Sequence, residues 1–248
     1  MLSQPLLEKL SALRLAGFRE ALEEQLASPH YAELAFEDRL GLLVDRECTR
    51  RENGRMRRFV QAAHFHLPAC IEDLDLAPAR GLDRRLLLEL AQCDWVRRHL
   101  NVVLVGATGA GKTYVACALG QAACRQGLSV RYLRTSRLLG ELTLARADGS
   151  FPRLLDQLAR VALLILDDWV RDPLTPAQAR DLLDIVDDRY GRASTLLASQ
   201  VPVKEWHTRL PDPTTADAIL DRLVHNAYRL DLEGESQRKL RSALAIPS

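Results

Sequence analysis

The sequence is short of aromatic residues, which make up 5% of its 248 positions, and it lacks the features that would place a chain in or across a membrane. No apolar run reaches the roughly 18 residues that a bilayer-spanning helix requires. The amino terminus, MLSQPLLEKLSALRL, has no basic leader and no small-residue cleavage site, so export is not expected. The cysteines, Cys48, Cys70, Cys93, Cys117 and Cys124, are odd in number, widely spaced and never in a CxxC pair, and none has a histidine at zinc-ligand spacing. They read as reduced thiols in a cytoplasmic protein. A formal charge of +1 denies the chain a long-range field of one sign, so an anionic partner would have to be met by local clusters. Internal repeats and low-complexity tracts are absent.

What remains is an ordinary composition, 47% hydrophobic and 27% charged, with enough apolar surface for a core. From Leu6 to about Phe65 the apolar residues fall at helical spacing: Leu6, Leu10 and Leu13, then Leu15, Phe18, Leu22 and Leu26, then Phe36, Leu40 and Val44. Gly17, Ser28-Pro29 and Pro68 punctuate this stretch, which predicts three helices and then a linker containing IEDLDLAP. A small all-helical domain over 1–68 and a second domain over 69–248 are expected. After Asn101 the pattern changes to short β-rich runs, NVVLV, SVRYL, VALLILD, STLLAS and YRLDL, alternating with helical segments. That rhythm predicts an α/β fold with a parallel sheet covered on both faces, which is why VALLIL is continuously apolar.

Directly behind NVVLV stands GATGAGKT, the G-x-x-x-x-G-K-[ST] pattern of a phosphate-binding loop. Gly106, Gly109 and Gly111 let the backbone wrap so that N–H groups converge on a phosphate, and the helix that follows points its positive end at the same place. Gly106, Ala107, Thr108, Gly109, Ala110, Gly111, Lys112, Thr113 and Tyr114 are the expected nucleotide-binding residues. Lys112 would bridge the β- and γ-phosphates and Thr113 would ligand Mg2+. LLILDDW supplies Asp167 and Asp168 at the end of the most apolar strand, Asp167 for the metal and Asp168 to orient or deprotonate the attacking water. Many ATPases of this type carry glutamate where Asp168 stands, so slow hydrolysis is expected.

A charge-spread transition state needs more positive charge than one lysine. STLLASQ ends in Ser199 and Gln200, polar residues at a strand terminus suited to sensing the γ-phosphate. ADAILDRLVHNAYRL carries Arg222 on an amphipathic helix whose apolar face includes Ile219, Leu223 and Ala227; an arginine projecting away from that face suits a finger reaching into a neighbouring subunit.

The stretches GATGAGKTYVACALGQAACRQG, LILDDW, SQVPVKEWH and ADAILDRLVHNAYRLDLEGESQRK together resemble the IstB-like ATP-binding proteins of insertion sequences, relatives of the DnaC-type helicase loaders within the AAA+ group. The leader with RECTRRENGRMRR is similar to that family's amino-terminal region. The resemblance implies an AAA+ P-loop core with a five-stranded parallel sheet, an ATPase that uses ATP and Mg2+, and a transposition helper. Such helpers form homo-oligomers with ATP on double-stranded DNA, remodel it and engage an IstA-type transposase. By position it makes Lys112 and Thr113 Walker A, Asp167 and Asp168 Walker B, Ser199 the first sensor and Arg222 the arginine finger. It sets Arg238, in GESQR, where DnaC-like relatives carry a sensor-like arginine, with no lid domain after it. Ala107 replaces a proline common at that point of the loop.

Two basic segments are candidates for DNA. RECTRRENGRMRR places Arg50, Arg51 and Arg55 among six arginines against two glutamates. RYLRTSRLLGELTLAR carries Arg131, Arg134, Arg137 and Arg146, and the resemblance favours it, because in related initiators and loaders the helices before Walker B line the DNA path. Phosphate contacts of this kind position a protein without reading sequence, and no aromatic residues interleave with the arginines to stack on bases. A replicative helicase loader is the alternative reading, and a nucleotide-gated scaffold that seldom hydrolyses ATP is another. A small-molecule kinase would need an arginine-bearing lid, a GTPase an NKxD-like motif and an ABC ATPase an LSGGQ-like block; none is found.

Overall fold

At Asn101 the spacing of apolar residues changes from helical to continuous, and the backbone changes with it. A computed structural model describes residues 3–74 and 81–234; Arg238 and the second half of IEDLDLAP lie outside the described residues. The chain divides into two compact units, Met1–Arg58 and Phe59–Ser248.

The first unit is helical. Helices α1 (Ser3–Ala12) and α2 (Ala16–Ala27) precede a 3-10 segment (Pro29–Glu33) and the long α3 (Phe36–Ala63). Helix α2 stops at Ser28, which is extended at φ −116° and ψ 120°, because the following proline disfavours helical geometry before it. Leu10, Ala21 and Leu43 are buried. The Glu47 carboxylate is buried too, and it accepts the Gly17 and Phe18 N–H groups at 2.8 and 3.2 Å, donors at the start of α2 that have no partner within the helix. Arg51 donates to Glu47 at 2.6 Å, and this bond, ahead of the two backbone N–H groups, holds the carboxyl below its ordinary range.

The expected boundary at residue 68 falls beyond the point where the units divide. Phe59, Val60 and Ala63, in the last turns of α3, themselves belong to the second unit and to its apolar cluster. Where the sequence predicts only a linker, two short helices follow, α4 (Arg84–Ala91) and α5 (Asp94–Arg97). Asp83 caps α4 by accepting the Arg85 N–H at 2.8 Å, and Leu87, Leu90 and Trp95 are buried.

The second unit is an α/β layer structure. Strands β1 (Asn101–Gly106), β2 (Val130–Arg134), β3 (Leu163–Asp167), β4 (Ser194–Ser199) and β5 (Ala227–Leu232) form one parallel sheet in the order β2-β3-β4-β1-β5. The registers include Leu166 opposite Leu197 and Leu104 opposite Ala198. The connecting helices are α6 (Lys112–Arg125), α7 (Thr135–Asp148), α8 (Phe151–Arg160), α9 (Pro176–Arg189), α10 (Trp206–Arg209) and α11 (Pro213–Val224). Helix α11 buries Ile219 and Leu223 as its periodicity predicts, but it ends at Val224, so Ala227 opens β5 instead of extending the apolar face.

Alternation along each strand divides the core in two. Val102, Leu104, Ile165 and Leu196 face a cluster with Val115 and Leu119 of α6; Val103, Leu164, Leu166 and Leu197 face one with Leu138, Leu182 and Ile219. Each such side chain contributes about 1.5–3 kcal/mol on burial, and Leu164→Ala would cost about 2–5 kcal/mol. Arg189, 2% exposed, is a charged residue buried in this interior. It donates to the carbonyls of Leu158, Val161 and Ser194 and to the Thr195 hydroxyl, binding the end of α8 to the start of β4, and burial pushes it down to about 9. No helix among the described residues is long and apolar enough to cross a membrane.

Candidate nucleotide site

The loop Gly106 to Gly111 lies between the end of β1 and the first turn of α6. A Cβ at Gly106 would sit 2.4 Å from the Leu232 carbonyl oxygen on β5, so glycine is what lets β1 pass that close. Gly109 and Gly111 take φ of +85° and +98°, the left-handed region that side chains avoid. The turn they make aims the N-terminal end of a fourteen-residue helix into the loop, where its leading N–H groups and dipole favour an anion. Lys112 is 7% exposed and folds back, its Nζ donating to the carbonyls of Gly106 and Ala107 at 2.7 and 2.8 Å. Tyr114 is partly buried against the first cluster.

Thr113 reaches from the loop to the end of a different strand. Its Oγ1 donates to Asp167 Oδ2 at 2.7 Å, joining the loop after β1 to the end of β3, two strands away in the sheet. Asp167 is 3% exposed; the Tyr132 hydroxyl donates to the same Oδ2 at 2.7 Å, and the Asp168 N–H donates to Oδ1 at 2.9 Å. Burial, then the Asp167 charge, raises the Tyr132 phenol above its ordinary range and keeps it a donor.

Asp168 and Val170 have φ of +55° and +43°, and a β-branched residue there is strained; such positions cost about 1–3 kcal/mol each. The strained segment is fixed at both ends. Trp169 N–H bonds the Ala198 carbonyl at 2.9 Å, and beyond the bend a capping box between Thr175 and Gln178 starts α9. The result is that Asp168 turns toward the loop, with Arg171 Nη1 3.7 Å from its Oδ2.

The two polar residues at the end of β4 part company. Ser199 is fully buried, its hydroxyl donating to the Trp169 carbonyl at 2.8 Å and accepting the Val201 N–H at 3.1 Å. Gln200 faces the loop: its Oε1 accepts the Thr108 hydroxyl at 2.6 Å and its Nε2 donates to Asp168 Oδ1 at 3.3 Å. A side-chain chain therefore runs Thr108, Gln200, Asp168.

Arg222 lies at the opposite end of the sheet. The Asn101 side chain, at the start of β1, donates to the Arg222 carbonyl at 3.0 Å, whereas the phosphate loop follows the end of that strand, about 17 Å further on at some 3.3 Å per residue. The Arg222 guanidinium pairs with Asp187 on α9, donates to the Ala218 carbonyl at 2.8 Å and lies 5.9 Å from the Tyr190 ring centre.

The arginines expected to meet DNA have differing surroundings. Arg50 pairs with Glu20 at 2.9 Å and Arg51 with Glu47; Arg55 is exposed. Arg134, at the end of β2, is exposed and lies 2.8 Å from His66 Nε2. Arg131 is 3.8 Å from Glu141, and Arg137 on α7 pairs with Glu141 at 3.2 Å while staying 75% exposed. Arg146 pairs with the buried Asp181 and stacks 3.8 Å from the Phe151 ring centre, tying α7 to α8 and α9. Sequence spacing gave no signal for Tyr132 or Asp187, whose partners Asp167 and Arg222 each lie 35 positions away.

A family profile for the IstB-like ATP binding protein matches residues 8–245. An insertion sequence ATP-binding protein of Sinorhizobium fredii is 46% identical over 239 residues, 96% of this chain and 98% of that protein. The insertion sequence IS1162 ATP-binding protein of Pseudomonas fluorescens is 50% identical over 203 residues, 82% of this chain and 88% of its own. In fold, the crystal structure of the DnaC helicase loader superposes with a TM-score of 0.51 at 19% identity, covering 71% of this chain and 99% of that one. The layered sheet thus shares the fold of that loader, and the family match makes the chain an ATP-binding protein. A match over nearly the whole length, with the phosphate loop set between β1 and α6, makes this chain a member of the IstB-like ATP binding protein family.

Proposed function

We propose that the chain is the ATP-driven helper of an insertion sequence: with ATP it assembles into a homo-oligomer on double-stranded DNA, remodels it and recruits the element's IstA-type transposase. The observation that carries the reading is the placement of one site's parts at two ends of one sheet, the phosphate loop beyond the end of β1 and Arg222 beside its start. An arginine there serves a nucleotide bound to an adjacent copy, so a complete site needs two subunits. The helical region over 1–68 would meet DNA and the transposase, and 69–248 would hold the ATPase.

The loop glycines and the start of α6 suit a triphosphate, and Lys112 would exchange two carbonyl partners for phosphate oxygens of full negative charge. Thr113 and Asp167 offer one hydroxyl and one carboxylate, the hard oxygens Mg2+ takes alongside phosphates and water, and they would hold it. When bound, the ion neutralises charge on the β- and γ-phosphate oxygens. Asp168 would take the proton of the water that attacks the γ-phosphorus as the bond to ADP breaks. Gln200 would read the γ-phosphate, since it links Thr108 of the loop to Asp168, while the Ser199 hydroxyl holds Trp169 behind it. DNA would run across the surface of Arg134 and Arg137, with the basic end of α3 as a further contact.

The test separates assembly from release. Asp168→Asn protein with ATP is expected to form particles on duplex DNA as large as those of the unaltered protein with a non-hydrolysable analogue, and to stay on the DNA. Normal turnover and release by this variant would contradict the role given to Asp168. Capture of transposase rather than replicative helicase by the full chain decides between transposition helper and helicase loader.

A further inference from the structure

We infer that Tyr132 is a positioning residue for the metal site, its hydroxyl fixing the Asp167 carboxylate in the orientation that receives magnesium-nucleotide. This rests on the reading of Thr113 and Asp167 as the magnesium ligands. The argument starts from the choice of tyrosine. Residue 132 is 5% exposed and its ring belongs to the apolar cluster with Cys117, Leu163 and Ile165, where phenylalanine would pack as well. A buried hydroxyl without a partner is costly, and this one finds its partner in Asp167 Oδ2 at 2.7 Å.

Asp167 is held from several directions. Asp168 N–H holds Oδ1, Thr113 Oγ1 and Tyr132 O–H share Oδ2, and Thr135 Oγ1 donates to the Asp167 backbone carbonyl at 3.0 Å. Of the two side-chain donors on Oδ2, Thr113 is the one whose oxygen would serve the ion. Tyr132 is then the side-chain donor that stays with the carboxylate and keeps it from rotating. Outside Tyr132, the His66 ring stacks at 6.3 Å between centres and 9° between planes, and His66 bonds Arg134, so the phenol is braced between the strand end and the surface. Outer partners of metal ligands typically change metal affinity by 10–100-fold when removed.

The full chain carrying Tyr132→Phe keeps the ring and loses the hydroxyl. Binding of a fluorescent ATP analogue is measured in a Mg2+ titration and again in EDTA, with thermal melting of the nucleotide-free protein as a check on folding. The expected result is about a tenfold rise in the Mg2+ concentration for half-maximal tight binding, with affinity in EDTA unchanged and a cooperative melting transition retained. Magnesium dependence like that of the unaltered protein overturns the inference. So does an equal loss with and without Mg2+, which would assign the hydroxyl to packing. Lys112→Ala, measured in parallel, reports on the parent reading: full binding by that variant would sink both, whereas its failure beside a normal Tyr132→Phe sinks this inference alone.

Discussion

In the helical unit the buried apolar side chains among the described residues are Leu10, Ala21 and Leu43, whereas β3 and β4 of the α/β unit consist wholly of buried residues. The first unit leaves Leu13, Leu26 and Phe36 at 66%, 56% and 71% exposure and relies on Arg46–Glu24, Arg50–Glu20 and the Glu47 contacts to hold α2 against α3. Exposed ion pairs contribute about 0–1 kcal/mol each, so most of what polar contacts add there comes from Glu47. The second unit has two apolar layers, and it can hold strained residues such as Asp168 and Val170 at the site because the packing around them over-determines their geometry. A large core can hold strained backbone in place; a small one leaves polar contacts such as those of Glu47 to add what apolar burial does not.

That contrast can be broken at three points. The largest effect belongs to the α/β unit: Arg222→Ala is expected to lower the ATP turnover number by about 10³-fold while leaving nucleotide affinity within about twofold, because an arginine finger acts on the transition state. Measured turnover and binding check it, and a parallel loss of affinity would mean that the residue only supports α11 through Asp187. Next, Glu47→Ala leaves the Gly17 and Phe18 N–H groups without their carboxylate and should destabilise the helical unit by about 2 kcal/mol, read by hydrogen exchange of α2. Because the folded protein holds the Glu47 carboxyl below its ordinary range, that stabilisation is present above the unfolded value of about 4.3 and is lost as pH falls through the depressed one. Exchange in α2 should quicken below that range in the unaltered protein and show no such change in Glu47→Ala. The smallest effect tests the surface: the exposed Arg57 and Arg58 make no ion pair among the described residues, and replacing both with alanine should weaken DNA binding evenly across sequences and reduce the slope of log affinity against log salt by about two. An unchanged slope would remove this end of α3 from the DNA path.

The parallel sheet was readable from the pattern of short β-rich runs alternating with helical segments, and GATGAGKT and LILDDW fell at the ends of β1 and β3. Helices α4 and α5 escaped because eight- and four-residue helices are too short for periodicity to stand out, and the three consecutive leucines of RRLLLELA blur the pattern further. The partners of the site residues escaped for a different reason. Thr108 and Gln200, Tyr132 and Asp167, Arg146 and Asp181, and Arg222 and Asp187 are each 35 or more positions apart. Spacing reports which face of an element a residue occupies; only the assembled sheet decides what meets it. Ser199 and Gln200, adjacent and both polar, show the limit most clearly, since alternation at a strand end buries one and turns the other to the loop.

If each nucleotide is completed by a second copy of the chain, as proposed, two inactive variants should restore each other when mixed. Lys112→Ala lacks a nucleotide grip but keeps its finger, and Arg222→Ala keeps the grip but lacks the finger. Combined on duplex DNA, the two are expected to return ATP hydrolysis to a substantial fraction of the unaltered rate, because a finger from one variant meets a nucleotide held by the other. A mixture as inactive as its components, although both variants are folded and co-assemble, would contradict the claim.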